Sequence, residues 1–143
     1  MTRLDGNQVM YKLLTAQLAL MSACGNRLYG PPLGIPPGMT APDKAVVFEG
    51  DGGPGHETLP MAAERFTFYC YGATQAEAQG VFGALFDALH RRGYTQVAYA
   101  PGVTALFRRG DLDMGPADLP DPGTNWPRVV SAFRIVFGER AMT

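Results

Sequence analysis

The sequence predicts one α+β domain, a mostly antiparallel β-sheet with two α-helices packed on one face. Two segments, 6–24 and 75–92, repeat apolar residues at the helical period. Two others, 64–71 and 129–137, alternate with the period of two that is typical of strands. The elements follow in the order α-β-β-α-β-β-β, which favours an α+β domain, and 143 residues suit a single domain spanning 1–143.

The first helix is predicted to begin after Asp5, because Asp-Gly-Asn-Gln at 5–8 resembles a capping box. Gly25 is placed to end it as a C-cap glycine. A short extended piece follows at 27–29. It leads into the first segment rich in proline and glycine.

Two strands are expected next. The β-branched run at 44–49 is ended by a glycine-rich segment. In 64–71, Phe66, Phe68 and Cys70 point to one side, while the residues between them point to the other. This alternation predicts a strand that is covered on one face only.

The second helix carries a complete N-terminal signal, Thr74 with Glu77 three residues later. Arg91 and Arg92 fall in its expected last turn, where cations favour the helix dipole, and Gly93 is placed to end it. The predicted core-facing residues are Ala78, Val81, Phe82, Leu85, Phe86 and Leu89.

A hairpin and a final strand complete the sheet. Segments 94–99 and 103–108 flank Ala-Pro-Gly at 100–102, as in a β-hairpin. The last strand alternates through Val129, Ser131, Phe133, Ile135 and Phe137, all predicted to share one face.

Proline and glycine concentrate at 30–43, 50–60 and 110–126, which are predicted to be long loops. Apolar residues in the first and third loops have no regular element to bury them, so contact with a partner is expected there. Trp126 is equally compatible with a core position and with an interface anchor. The loop candidates are Leu33, Ile35, Met39, Leu112, Met114, Leu119 and Trp126.

A stripe of small residues lies opposite the core face of the second helix, at Ala76, Gly80 and Gly83. Each interior glycine costs a helix about 0.5–1 kcal/mol relative to alanine. This cost predicts that another backbone or a bulky side chain packs into the groove. That partner belongs either to the same chain or to a neighbouring subunit.

The sequence predicts no catalytic, cofactor-binding or metal site. Cys24 and Cys70 lack metal or redox spacing, and His56 and His90 lack ligands at suitable spacing. Asp-Leu-Asp-Met-Gly at 111–115 fails as a calcium loop, because its glycine comes one position early and proline stands at the twelfth position. The net charge of −1 argues against a broad nucleic-acid-binding face, and polar residues interrupt 1–24 too often for a membrane span.

The chain resembles the tail terminator, or tail-completion (head–tail joining), family of siphophages. The resemblance rests on MYKLLTAQLALMSACGNRLYG at 10–30, a Val-Val-Phe strand, the Phe-x-Phe-x-x-Tyr strand that leads into an Ala/Glu-rich helix, and an alternating closing strand. It covers nearly the whole chain. The proline-rich segments 30–43 and 111–125 depart from the family pattern.

This resemblance implies a structural virion protein that is not an enzyme. Such proteins form a homohexameric ring that seats on the tail tube protein, stops tube growth and presents a surface to the head–tail connector or stopper. Genome DNA passes through the lumen without specific binding, and assembly takes place in the host cytoplasm. The alternatives are another neck or tail-tube protein of the virion, or a small cytosolic α+β ligand-binding domain or enzyme.

Overall fold

The computed structural model describes residues 6–50, 61–90, 95–100 and 103–141. Its helices are α1 (Gly6–Thr15), α2 (Leu18–Ala23) and α3 (Gln75–Leu89). The expected single first helix is therefore two helices. Thr15 Oγ1 donates to the carbonyl of Lys12 at 3.1 Å and Gln17 Nε2 to that of Leu13 at 3.3 Å, so side chains satisfy carbonyls at the end of α1.

The end of α2 confirms the role predicted for Gly25. Its φ is +62°, its N–H donates to the carbonyl of Ser22 at 3.3 Å, and the N–H of Asn26 donates to that of Met21 at 2.8 Å. These two bonds form a Schellman motif, which favours glycine because of the left-handed backbone.

The described strands are β1 (Leu28–Tyr29), β2 (Ala45–Gly50), β3 (Met61–Tyr71), β4 (Thr95–Ala100), β5 (Val103–Asp118) and β6 (Arg128–Ala141). They form one six-stranded sheet in the order β1-β2-β3-β6-β5-β4. Only β1 runs parallel to its neighbour, β2, and the other pairs are antiparallel. The predicted α+β class and mostly antiparallel sheet are confirmed.

The main core lies between one face of the sheet and the helices. Phe66, Phe68 and Cys70 of β3 are fully buried there, as their alternation predicts. The alternating β6 residues 129–137 that were predicted to share a face are also buried. Of the predicted core residues of α3, only Phe86 is partly exposed. The described helices thus pack on one face of the sheet, and they number three where two were predicted.

The other face of the sheet is covered at one end, where the sequence predicts an uncovered face. Ala45, Val47 and Tyr71 are buried there, and the partly buried side chains packed on them come from Tyr29, Leu33, Met39, Tyr69 and Trp126. We call these residues the second-face cluster. Segments 30–43 and 119–127 supply its outer layer.

β5 continues to Asp118, so the prediction of a loop throughout 110–126 is wrong for its first half. Register shifts between Leu112 and Met114 and between Met114 and Ala117 fit the irregular sequence into the ladder with β6. A Cβ at Gly115 (φ +88°) would lie 2.7 Å from the carbonyl oxygen of Val130. In the described residues β4 pairs with β5 only as far as Phe107, so Pro116 lies on a sheet edge that needs no donor from it.

Helix α3 ends at Leu89, earlier than predicted, with His90 as its C-cap. The ring of His90 stacks on Phe86 at 4.4 Å, and its Nδ1 accepts from the N–H of Leu112 at 3.4 Å. Several predictions fall on residues that the structure does not describe. They concern Asp5, Arg91–Arg92, Gly93, loop 51–60 and the hairpin turn at 101–102.

Candidate interaction surfaces

The groove on α3 is open. Thr74 Oγ1 caps the helix by accepting from the N–H of Glu77 at 3.2 Å, as predicted. Ala76 and Gly80 are exposed and Gly83 is half-buried. A Cβ built at either glycine meets no atom within 4 Å. Among the described residues nothing fills the groove, so the partner expected within the same chain is not found there.

Segment 30–43 places its apolar candidates differently. Leu33 and Met39 pack in the second-face cluster, so the prediction that the fold offers them no element to pack on is wrong. Ile35 is half-buried and belongs to neither core cluster. At the end of the segment, Asp43 forms an exposed ion pair of 3.1 Å with Arg27.

The candidates of 110–126 divide into inward and outward residues. Leu112 packs partly buried against the main core, and Trp126 packs in the second-face cluster. Of the two expectations for Trp126, the structure favours the internal one. Met114 and Leu119 are 41% and 50% exposed. They are the outward-facing apolar candidates of this segment.

Two exposed apolar side chains were not predicted. Leu18 is 84% exposed and Tyr11 is 44% exposed. Leu18 starts α2, directly after the break that the sequence pattern did not reveal. The sequence signal for the break is that the side chains of Thr15 and Gln17 can donate hydrogen bonds to backbone carbonyls three and four residues earlier.

The uncovered half of the second sheet face is charged. Arg65 pairs with Asp113 at 2.8 Å, and Arg109 pairs with Asp111 at 2.6 Å. Arg134 is exposed and lies directly across the ladder from Arg65. Exposed pairs of this kind contribute little stability, so this area is a solvated polar surface.

The loop 119–127 has a polar framework that was not predicted, and only part of it is shielded from water. Arg128 Nε donates to the carbonyl of Leu119 at 2.8 Å, and its Nη1 lies 3.5 Å from Oδ1 of Asp121. Asp121 Oδ2 accepts from the N–H groups of Gly123 and Thr124, both at 3.1 Å, and from the hydroxyl of Thr124 at 3.0 Å. An Asp followed by Gly and Thr is a recognisable turn signal, and it could have indicated this framework.

The pKa of Asp121 reflects competing effects. Burial of the carboxyl raises its pKa, but hydrogen bonds from Thr124 and Gly123 and the charge of Arg128 outweigh burial and leave it below its usual value. Burial raises the pKa of the Tyr71 hydroxyl, which makes no hydrogen bond of normal geometry.

The two cysteines lie in environments that disfavour the reactive thiolate form. Cys24 and Cys70 are buried free thiols, and burial raises the pKa of both. No cluster of three or more His, Cys, Asp or Glu side chains occurs among the described residues. None of the described helices is long and apolar enough to cross a membrane.

Comparison with solved structures finds a similar fold. A chain in the virion of a native gene transfer agent particle superposes with a TM-score of 0.62 at 18% sequence identity. The superposition covers 93% of this chain and 94% of that chain. The two chains share a fold. No protein-family profile matches this sequence, and no curated protein does.

Proposed function

We propose that this chain is a structural protein of a phage-like virion and that it has no enzymatic role. The observation that carries the proposal is the likeness, over nearly the full length of both chains, to a chain of a gene transfer agent virion. The sequence resemblance to phage tail-completion proteins supports it independently. The buried thiols are consistent with a structural role.

Within that class, the proposed role is that of a tail terminator. A homohexameric ring would cap the tail tube protein and join the tail to the head connector or stopper, and the protein would reside in the tail or neck of the virion. The resemblance of the opening 10–30 and of the later strands supports this assignment. A net charge of −1 suits a ring through which DNA passes without being held.

The fold provides what a cyclic ring requires, which is two unlike surfaces on each subunit. The α3 groove lies on the helical side of the sheet, and Met114 lies on the opposite side, across the ladder from Ala132. In the proposed ring, the groove of one subunit receives the sheet side of the next. The glycines Gly80 and Gly83 would let a neighbour approach the helix backbone closely.

The loop candidates are proposed to meet the tube or the connector. Ile35, Met114 and Leu119 would make direct contact, because Ile35 packs in neither core cluster and the other two are exposed. The inward-facing candidates Leu33, Met39, Leu112 and Trp126 would support that surface from beneath.

Deleting the gene in the virus that carries it tests the tail-terminator role. Tube growth is an addition that never closes, so it continues until another protein occupies the growing end. We expect filled heads without tails, together with tails that exceed normal length in electron micrographs. Tails of normal length joined to heads would contradict this role and favour another neck or tail-tube function.

A pair of variants tests the groove itself. Gly80→Leu should leave the free chain folded, because the groove is open, but it should block ring assembly on the tube. Ser22→Leu is the matched control, since it adds the same side chain at an exposed position of α2. If Gly80→Leu assembles as well as the control does, the groove is not a subunit interface.

A further inference from the structure

Loop 119–127 is organised by its own hydrogen bonds. The N–H of Leu119 donates to the carbonyl of Arg128 at 3.1 Å, that of Asp121 to Trp126 at 3.0 Å, and that of Asn125 to Asp121 at 2.7 Å. Asn125 has a φ of +59°, which asparagine tolerates better than most residues. A segment with this many internal bonds has a defined shape.

Arg128 joins this loop to the sheet beneath it. It is the first residue of β6, yet only 10% of its side chain is exposed. Its guanidinium lies 4.2 Å from the centre of the Tyr69 ring, bonds the carbonyl of Leu119 and faces the carboxylate of Asp121. One cation therefore contacts both the start of the loop and the aromatic layer under it.

Arg128 and Asp121 form an ion pair between the strand and the loop that has little access to water. The side chain of Asp121 is only 12% exposed, and its pairing with Arg128 is shielded from water. Removing one partner by substitution is costly, because the other charge is then left without it in a site that is largely shielded from water. Exposed pairs on the same sheet, such as Arg109 with Asp111, carry no such penalty.

We propose that Arg128 and Asp121 form a fastener that holds loop 119–127 as a preformed strap over the second-face cluster. The strap seals Trp126 against the sheet and presents Leu119, which is 50% exposed, at a fixed position. The inference concerns the free chain and does not depend on the virion role.

Substituting Arg128 and measuring the fluorescence emission of Trp126 tests this proposal. Trp126 is the single tryptophan of the chain, so its emission reports directly on the strap. Arg128→Met removes the charge and the guanidinium and keeps an unbranched apolar side chain. We expect emission at longer wavelength and about tenfold or faster amide exchange at Asp121 and Asn125, as for the loss of a charged hydrogen bond. Amides in the centre of β3 and β6 should keep their protection.

Arg134→Met is the matched control, since it makes the same change at an exposed position of the same strand. It should leave the emission and the loop amides unchanged. Asp121→Asn supplies a second test that keeps side-chain size, and it decides the question if Arg128→Met does not fold. Unchanged emission and unchanged loop exchange in the folded variants would overturn the proposal, as would wild-type loop amides that exchange without protection.

Discussion

Replacing Gly80 with alanine should stabilise the free chain. Gly80 lies in the interior of α3, where glycine costs about 0.5–1 kcal/mol relative to alanine because it loses more backbone entropy on folding. A Cβ at this position meets no atom within 4 Å, so no clash reduces the gain. The free energy of unfolding should therefore rise by about 0.5–1 kcal/mol.

The corresponding change in melting temperature follows from chain length. About 2.1 cal/mol/K of unfolding entropy per residue gives about 0.3 kcal/mol/K for 143 residues. The Gly80→Ala variant should then melt about 2–3 °C higher than the wild type. Calorimetry at a concentration where light scattering shows a monomer measures this for the free chain.

Gly110→Ala is the control, because the same chemical change meets a different environment. A Cβ there would lie 2.6 Å from the carbonyl oxygen of Leu89, a backbone atom that cannot simply move away. That variant should lose about 1–3 kcal/mol, as overpacked sites do. A lower melting temperature for Gly80→Ala would refute the reasoning, since it would mean that the groove is already filled within the free chain.

Further expectations concern single side chains. Ser131→Ala should raise the free energy of unfolding, measured in urea, by about 1 kcal/mol, because the buried Ser131 hydroxyl has no hydrogen-bond partner. A lower free energy of unfolding in this variant would contradict the expectation. Thr74→Ala should lose about 1 kcal/mol through the lost cap, and Thr74→Ser should restore most of it. Cys70, whose thiol pKa is raised by burial, should react with iodoacetamide at pH 8 only after denaturation. Folding lowers the pKa of Asp121, so this carboxylate should stabilise the fold fully above about pH 4 and progressively less as the pH falls further. The free energies of unfolding of the wild type and of Asp121→Asn should therefore converge in acid.

Local signals account for the parts of the fold that sequence analysis predicts correctly. The side chain of Thr74 and the left-handed backbone of Gly25 act within a few residues, so their roles can be inferred from neighbours in the sequence. The alternation through Phe66 and Phe68 likewise reflects one strand on one core.

The extent of β5 could not be predicted in this way. Gly115-Pro116 is a loop signal in any local window, yet the segment remains in the sheet because bulges adapt it to β6 and because this stretch lies on an edge. Both conditions depend on residues such as Val130 that are distant in sequence. A local pattern carries no information about them.

The second-face cluster could not be predicted for a related reason. Tyr69 and Tyr71 have apolar rings and polar hydroxyls, so their alternation with phenylalanine is compatible with either a solvated or a covered face. Leu33 and Met39 lie in a proline-rich segment without periodicity. The sequence indicates that they need burial, but it does not indicate whether their own sheet or another protein provides it.

Whether a side chain is already buried in the free chain decides how much area it can still bury in the proposed ring. Side chains that already pack internally, such as Trp126, gain little by moving to a partner, because their apolar area has left water before assembly. The open α3 groove and the exposed side chains of Met114 and Leu119 still have area to bury. Gly80 and Gly83 lower the stability of the free helix, and close packing by a neighbouring subunit would offset that cost. Assembly is therefore expected to depend more strongly on the groove than on the internally packed parts of the proline-rich segments.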